Sequence, residues 1–203
     1  AVNDRVAAGH LPDGDLPFVE DGDLAAISAP LDFLGLNYYS RNVLRATDGG
    51  GREAVPQGDR ADRTDMDWED YPDGLYESLV RVHRDYAPAK ILIAENGAAY
   101  DDPIDPDGRI RDARRIRYLD GHLKAAHRAI ADGVPLAGYL HWSLMDNFEW
   151  AHGFTKRFGL YHVDFSTLKR SPRDSAAWYR DVIARNGVED SDTPANQGDT
   201  RAV

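Results

Sequence analysis

Three short apolar runs alternate with two helix-patterned stretches, and this alternation restricts the fold more than any other feature of the chain. The runs are Leu31–Tyr39 (LDFLGLNYY), Lys90–Ala94 (KILIA) and Val134–Trp142 (VPLAGYLHW). Between them, Pro72–Tyr86 sets Leu75, Leu79, Val82 and Tyr86 on one helical face. Arg111–Asp132 does the same with Ile116, Leu119, Leu123, Ala126 and Ile130, and Gly133 suits its C-cap. Strand, helix, strand, helix, strand implies right-handed crossovers and a parallel sheet, so the fold class is α/β. KILIA has no polar alternation, the composition of a parallel strand covered on both sides. Each run ends in polar or aromatic residues: Asn37 and Tyr39, Glu95 and Asn96, and Trp142. In (β/α)8 barrels the C-terminal strand ends carry the active site. Three such units do not close an eight-stranded barrel, and a doubly wound sheet accounts for the same pattern.

The remaining segments read more simply. Gly9–Gly22 is loop, and Asp23–Ala29 is a short helix with Asp21 or Asp23 available as cap. Thr47–Asp70 is a polar, Gly-containing surface excursion, and Asn96–Gly108 is loop. Ser143–Leu160 is an aromatic loop, Tyr161–Phe165 a short strand and Ser175–Asn186 a last helix. The partition is a barrel portion over 1–186 and a polar tail over 187–203, for which disorder is expected. Lys and Arg number 24 against 35 Asp and Glu, a net charge of −11 that argues against nucleic acid or an anionic membrane as partner. With no cysteine, disulfides, thiolate metal sites and cysteine nucleophiles are excluded. Cytoplasm is the expected compartment, and secretion is compatible. No run is long enough to span a bilayer, and Ala1–His10 lacks the pattern of a signal peptide. The chain starts on Ala rather than Met, which suggests a true start further upstream.

Glu95 ends a buried strand, where a carboxylate is costly unless lost water is compensated. It reads either as a nucleophile or base at a barrel mouth, or as a surface glutamate at the strand's end. On LDFLGLNYY, alternation puts Leu31, Phe33, Gly35, Asn37 and Tyr39 on one face. An amide and a phenol projecting there can hydrogen-bond a carboxylate and a sugar hydroxyl; a turn residue and rim packing are the plainer account. The segment 141–165 carries Trp142, Phe148, Trp150, Phe154, Phe158, Tyr161 and Phe165, with Glu149 beside Trp150. Aromatic faces stack on pyranose C–H faces and carboxylates bind vicinal hydroxyls, which favours a sugar site over mere core. Asp102, Asp105, Asp107 and Gly108 lack the spacing of a calcium loop, and the seven histidines lack HExxH spacing. No metal and no cofactor is expected.

Taken together these motifs resemble glycoside hydrolase family 1. ILIAENGAAY is similar to the family's nucleophile motif, with Ala94 where Thr is usual. DFLGLNYY resembles its strand six, HWSLMDNFEW and KRFGLYHVDF its strand eight and following loop, and SPRDSAAWY its last helix. The likeness runs from about Asp23 to about Arg185. It implies the C-terminal portion, about strands six to eight, of a (β/α)8 barrel, and a retaining β-glycosidase of β-glucosidase type. The resemblance assigns Glu95 as nucleophile, Tyr39 as its hydrogen-bonding partner and Asn37 as the amide near the sugar 2-hydroxyl. It assigns Trp142 as the platform under the glycone, Glu149 and Trp150 as binders of its outer hydroxyls, Phe158 as an aromatic lining that subsite, and Trp68 as the border of the aglycone site. A branch acting on 6-phosphorylated sugars replaces the glutamate at 149; Glu149 here repels phosphate, while Lys156 fits both branches. The implied partners are a β-glucoside or short β-linked oligosaccharide and an N-terminal half of the barrel. The acid/base glutamate of the family lies in an Asn-Glu-Pro motif that this sequence lacks, so the chain alone is expected to be inactive. A non-catalytic sugar-binding remnant of the same barrel is the alternative.

Overall fold

The computed structural model describes residues 19–55, 57 and 63–188. Most of the expected Gly9–Gly22 loop and of the 187–203 tail lies outside the described residues. In chain order the elements are α1 (Asp23–Ile27), β1 (Leu34–Asn37), β2 (Leu44–Ala46), β3 (Arg52–Ala54), α2 (Pro72–Tyr86), β4 (Ile91–Asn96), α3 (Ala113–Ala131), β5 (Leu136–His141), a 3-10 turn (Trp150–His152), β6 (Tyr161–Val163), β7 (Arg170–Pro172) and α4 (Asp174–Arg185). The central sheet has the order β1-β4-β5, and both pairings are parallel.

Both crossover helices cover one face of this sheet. Leu75 and Leu79 of α2, Ile91 and Ile93 of β4, Ala126 and Ala129 of α3, Tyr38 and Val134 form a single core. Strand order runs in one direction, so right-handed crossovers place both helices on the same side. A doubly wound sheet needs helices on both sides, and a barrel keeps them all outside. The opposite face, with Gly35, Asn37, Ala94, Ala137 and Leu140, is exposed, Leu140 at 53%. Such a face turns inward when a barrel closes. The fold is a parallel segment of a (β/α)8 barrel.

Helix α2 spans the expected residues. Pro72 stands at its first turn, where a missing N–H costs nothing, and Ala87 ends it in the left-handed region at φ 44°. Helix α3 is rotated from its expected face. Its buried residues are Arg115, Tyr118, Leu119, His122, Ala125, Ala126 and Ala129, whereas Ile130 is 48% exposed. The cause is that Arg115 and Tyr118 on the inner face satisfy their polar atoms internally and His122 sets its Nδ1 against Tyr118 O at 2.8 Å, which an apolar count cannot register. For α1, neither Asp21 nor Asp23 caps the helix: the N-cap is Gly22 at φ 96°, and Asp23 Oδ2 instead accepts the N–H of Glu20 at 3.0 Å.

Strand ends also shift. The first strand is shorter than Leu31–Tyr39 because Leu34 N meets Lys90 O, and Leu31 and Phe33 lie below the start of β4. Strand β4 runs two residues past Ala94, so Glu95 and Asn96 belong to it. The excursion Thr47–Asp70 contains part of an antiparallel hairpin, Leu44 opposite Ala54 and Ala46 opposite Arg52. Its six strand residues are all exposed, so no alternation marks it. A second hairpin pairs Tyr161–Val163 with Arg170–Pro172.

Candidate active site

Regular alternation along β4 sends Ile91 and Ile93 towards the helices, and would send Glu95 after them. A register shift intervenes: Leu36 pairs with Ile93, but Asn37 pairs with Glu95. One extra residue on β4 re-aims everything beyond it. Asn96 therefore enters the core, fully buried, and Glu95 turns to the open face. Asn96 Nδ2 donates to Tyr38 O at 2.7 Å and to the Tyr118 hydroxyl at 3.1 Å, while Oδ1 accepts from the Tyr139 hydroxyl. A buried amide in use on both ends makes the shift obligatory. Next, Gly97 lets β4 approach β5: a Cβ there would stand 1.8 Å from Trp142 O.

Tyr39 donates from its hydroxyl to Glu95 Oε2 at 2.6 Å, although the two are 56 residues apart in sequence. Burial, then the bond to Glu95, then the negative charges of Glu95 and Glu149 push the Tyr39 phenol well above its usual range. It stays protonated and donates. Two further rings close around this pair. Tyr39 lies 5.3 Å from Trp68 and 6.1 Å from Phe158, and Trp68 lies 6.1 Å from Phe158. Asn37 sits in register with Glu95 and lines, with Tyr39, Trp68 and Arg41, an open groove of about 560 Å³ that reaches the β2–β3 hairpin. Within this groove Arg41 forms a two-point pair with Glu69, at 2.8 and 3.1 Å.

The loop after β5 is tied down at its base. Trp142 N donates to Asn96 O at 2.9 Å, which places Trp142 beside the end of β4, next to Glu95. Asp146 accepts from Arg173 at 3.1 Å, from Arg157 at 2.9 Å and from the N–H of Gly159 at 2.9 Å. Burial alone raises this carboxyl, but the arginines outweigh it and hold Asp146 below the usual range. Fully buried Arg115 donates to the carbonyls of Ala98, Tyr100, Arg157 and Phe158, so it joins the loop after β4 to the loop after β5. Asp112 accepts Nε of Arg115 at 3.0 Å and the N–H of Ser175 at 2.8 Å, which seats the start of α4.

At its tip the same loop opens to solvent. Glu149 precedes the 3-10 turn and its N–H meets Gly153 O at 2.6 Å. Trp150 is 82% exposed, with φ 39°. The ring-rich stretch thus divides: Phe158 joins Tyr39 and Trp68, whereas Phe148, Phe154 and Phe165 form a separate string with centroids 5.6 and 4.4 Å apart. Of the expected site residues, Glu95, Tyr39, Asn37, Phe158 and Trp68 come together, with Trp142 adjoining and Glu149 near enough for its charge to act on Tyr39, whereas Trp150 stands out in solvent. Lys156 donates to the backbone carbonyl of Asp65, towards the Trp68 segment. Sequence reasoning missed Asn96, Arg115, Tyr118, Asp146 and Arg173; a buried polar scaffold has no periodic signature. Asp105 and Asp107 pair with Arg111. Among the described residues no cluster of three His, Asp or Glu is placed to hold a metal, and no helix is long and apolar enough to cross a membrane.

Comparison with known proteins gives the family and the fold. The family described as Glycosyl hydrolase family 1 matches residues 2–188. Beta-glucosidase A of Acetivibrio thermocellus is 48% identical over 176 residues, covering 85% of this chain and 39% of that protein. The 1,4-beta-D-glucan glucohydrolase of Thermotoga neapolitana is 43% identical over 175 residues, covering 86% of this chain and 39% of its own. A structure of the family 1 b-glucosidase from Thermotoga maritima, in complex with isofagomine lactam, superposes with a TM-score of 0.78 at 46% identity. It covers 82% of this chain and 37% of that one. The chain therefore spans about 39% of the length of these curated relatives.

Proposed function

We propose that this chain, which belongs to glycosyl hydrolase family 1, supplies the nucleophile side of a retaining β-glucosidase. The observation that carries the reading is the 2.6 Å bond from Tyr39 to Glu95 Oε2 at the C-terminal ends of parallel strands. Glu95 Oε1 has no hydrogen-bond partner among the described residues, and we assign it as the attacking atom. It bonds to the anomeric carbon as the bond to the leaving oxygen breaks, giving a glycosyl-enzyme. A second carboxyl protonates that oxygen, then takes a proton from the water that displaces Glu95. Retaining enzymes hold their two carboxyls about 5–5.5 Å apart. The Asn-Glu-Pro motif expected to carry the second one does not occur in this sequence. The open inner face of β1-β4-β5 suits closure by the rest of a barrel, and we expect the chain by itself to be inactive. Cytoplasm remains the proposed compartment.

Trp142, Glu149 and Trp150 are the proposed glycone contacts, and Trp68 borders the aglycone. Glu149 disfavours a phosphorylated glycone through charge repulsion. The glucohydrolase relative, by its name, acts on 1,4-β-D-glucan, which supports short β-linked oligosaccharides beside simple β-glucosides as substrates. The test is chemical rescue in the full-length protein. Glu95→Gly lowers hydrolysis of an aryl β-glucoside by more than about 10⁴-fold, and azide partly restores cleavage of activated substrates. No rescue, with the variant folded, counts against the nucleophile. Turnover by this chain alone that disappears in Glu95→Gln overturns the expected inactivity.

A further inference from the structure

We propose that the hydroxyl of Tyr118, on α3, is a positioning group for Glu95, linking the residue after the carboxylate to the residue that hydrogen-bonds it. This rests on Glu95 being the nucleophile. The case begins with backbone accounting, since every buried carbonyl needs a donor. The ladder between β1 and β4 has its last rung where Tyr38 N meets Glu95 O at 3.0 Å. Beyond the register shift, β4 no longer offers N–H groups to the next two carbonyls. Tyr38 O takes the Asn96 amide instead, at 2.7 Å, and Tyr39 O takes the Tyr118 hydroxyl, at 3.1 Å. That same hydroxyl accepts from Asn96 Nδ2 at 3.1 Å.

One oxygen atom thus joins the backbone of Tyr39 to the side chain of Asn96. Tyr39 is the partner of Glu95, and Asn96 is its neighbour in the chain. The ring of Tyr118 is fully buried, stacked on His122 at 3.9 Å and packed with Ala98 and Tyr100. Confined in this way, the hydroxyl has one position to occupy. Burial pushes the phenol well above its usual range, so it keeps the proton it donates. Both hydrogens of the Asn96 amide are then spent, one on Tyr38 O and one on Tyr118. Deleting the hydroxyl frees a carbonyl and an amide hydrogen in the two residues that aim the carboxylate. Packing alone needs only a phenyl ring, so the oxygen has a role separable from the fold.

The experiment compares Tyr118→Phe with the unsubstituted full-length protein, using a slowly hydrolysed fluoroglucoside that traps the glycosyl-enzyme. The burst of aglycone counts folded sites, and the trapping rate per site reads the nucleophile. Misplacing a reacting group by about 1 Å costs up to about a hundredfold, so the rate per site is expected to fall by about ten- to a hundredfold. The burst amplitude stays unchanged, and KM moves by less than about twofold. Added to Tyr39→Phe, the substitution costs less than about threefold further, because the two act through one link. A rate per site within about twofold of the unsubstituted protein overturns the proposal and makes Tyr118 a packing residue. Should Tyr118→Phe fail to fold, fluorotyrosine at the position retains the ring and alters only the donor strength; an unchanged trapping rate overturns the proposal equally. If the unsubstituted protein is never labelled on Glu95, the nucleophile reading fails and this inference falls with it, an outcome distinct from equal labelling of both proteins.

Discussion

The surroundings of Glu95 and the tip of the loop that carries Glu149 and Trp150 are held in opposite ways. Around Glu95 the neighbours Tyr39, Asn96 and Phe158 are themselves anchored: Tyr39 by the Tyr118 hydroxyl, Asn96 by Tyr38, Tyr118 and Tyr139, Phe158 by Arg115. At the loop tip, Phe148, Trp150 and Phe154 are all more than half exposed. Between the two lies a girdle of buried Asp146 and Arg173 and half-buried Arg157 that fixes the base of the loop and leaves its end free. A nucleophile, the role proposed for Glu95, needs its geometry before substrate arrives, because positioning is what lowers the barrier. A tip proposed to contact the sugar gains from being completed by it and by the rest of a barrel. The contrast is between preorganisation and availability, and it can be broken experimentally from either side.

The largest effect falls on the girdle. Asp146 is 1% exposed and faces fully buried Arg173, so Asp146→Ala leaves a buried cation unpaired. Unfolding of the full-length protein by urea should show a loss of about 3–5 kcal/mol. A loss below about 1 kcal/mol would mean that the loop base is not anchored through this pair. Close behind comes Tyr39→Phe. Removing one donor from a reacting site costs about 10²–10³ in rate, so kcat/KM for an aryl β-glucoside should fall by that factor. A loss under about tenfold dissolves the distinction between moored carboxylate and open tip.

How much of this was legible beforehand differs by region. KILIA between two helical patterns was enough to place β4 and α2, because burial of a parallel strand leaves an uninterrupted apolar run. Glu95 and Tyr39 were legible through motif resemblance, and their separation of 56 residues hides the contact from any local pattern. Tyr118 was not legible: its hydroxyl meets Tyr39 O across 79 residues, and helical periodicity ranks tyrosine merely as a core ring. The inner face of α3 was misjudged for the same reason, since Arg115 and His122 are polar by type and buried by context. The β2–β3 hairpin left no trace because short, wholly exposed strands need no alternation. Ring density in 141–165 suggested one cluster, but chain geometry divides it, with Phe158 returned to Tyr39 and the other phenylalanines kept outside.

A smaller effect is expected where the Trp68 segment meets α3. Burial raises the Asp70 carboxyl from an ordinary 3.8 to about 6, with Arg117 pulling it back. His122 Nδ1 is 3.8 Å away, but burial pushes that imidazole down to about 4, so at neutral pH it carries no charge to offset the carboxylate. Between 3.8 and about 6 the folded form binds more protons than the unfolded form, so this group's contribution declines as pH rises through that window. Asp70→Asn removes the penalty. With the side chain 30% exposed and partly screened, the gain at pH 7 is about 1–2 kcal/mol, and it vanishes below about pH 4. Denaturation at the two pH values checks this; an equal gain at both, or none at pH 7, removes the titration argument.

Stability should change least at Trp150, the residue that most clearly stands for the open tip. Its indole is 82% exposed and buries little against the chain, and its φ of 39° lies where glycine is favoured. Trp150→Gly relieves that backbone strain but adds freedom to the unfolded chain, and the two effects offset to within about 0.5 kcal/mol. Binding is another matter. Strained residues cluster at ligand-binding sites, which is in keeping with the glycone contact proposed for Trp150. As a proposed contact to glycone hydroxyls far from the reacting atoms, it should hold ground state and transition state alike, so its loss raises KM about tenfold and leaves kcat within about twofold. Unfolding and steady-state kinetics on the same variant therefore give opposite answers, no change in one and a clear change in the other. If stability falls by more than about 1 kcal/mol while KM stays put, Trp150 belongs to the packed scaffold, and the tip is no freer than the surroundings of Glu95.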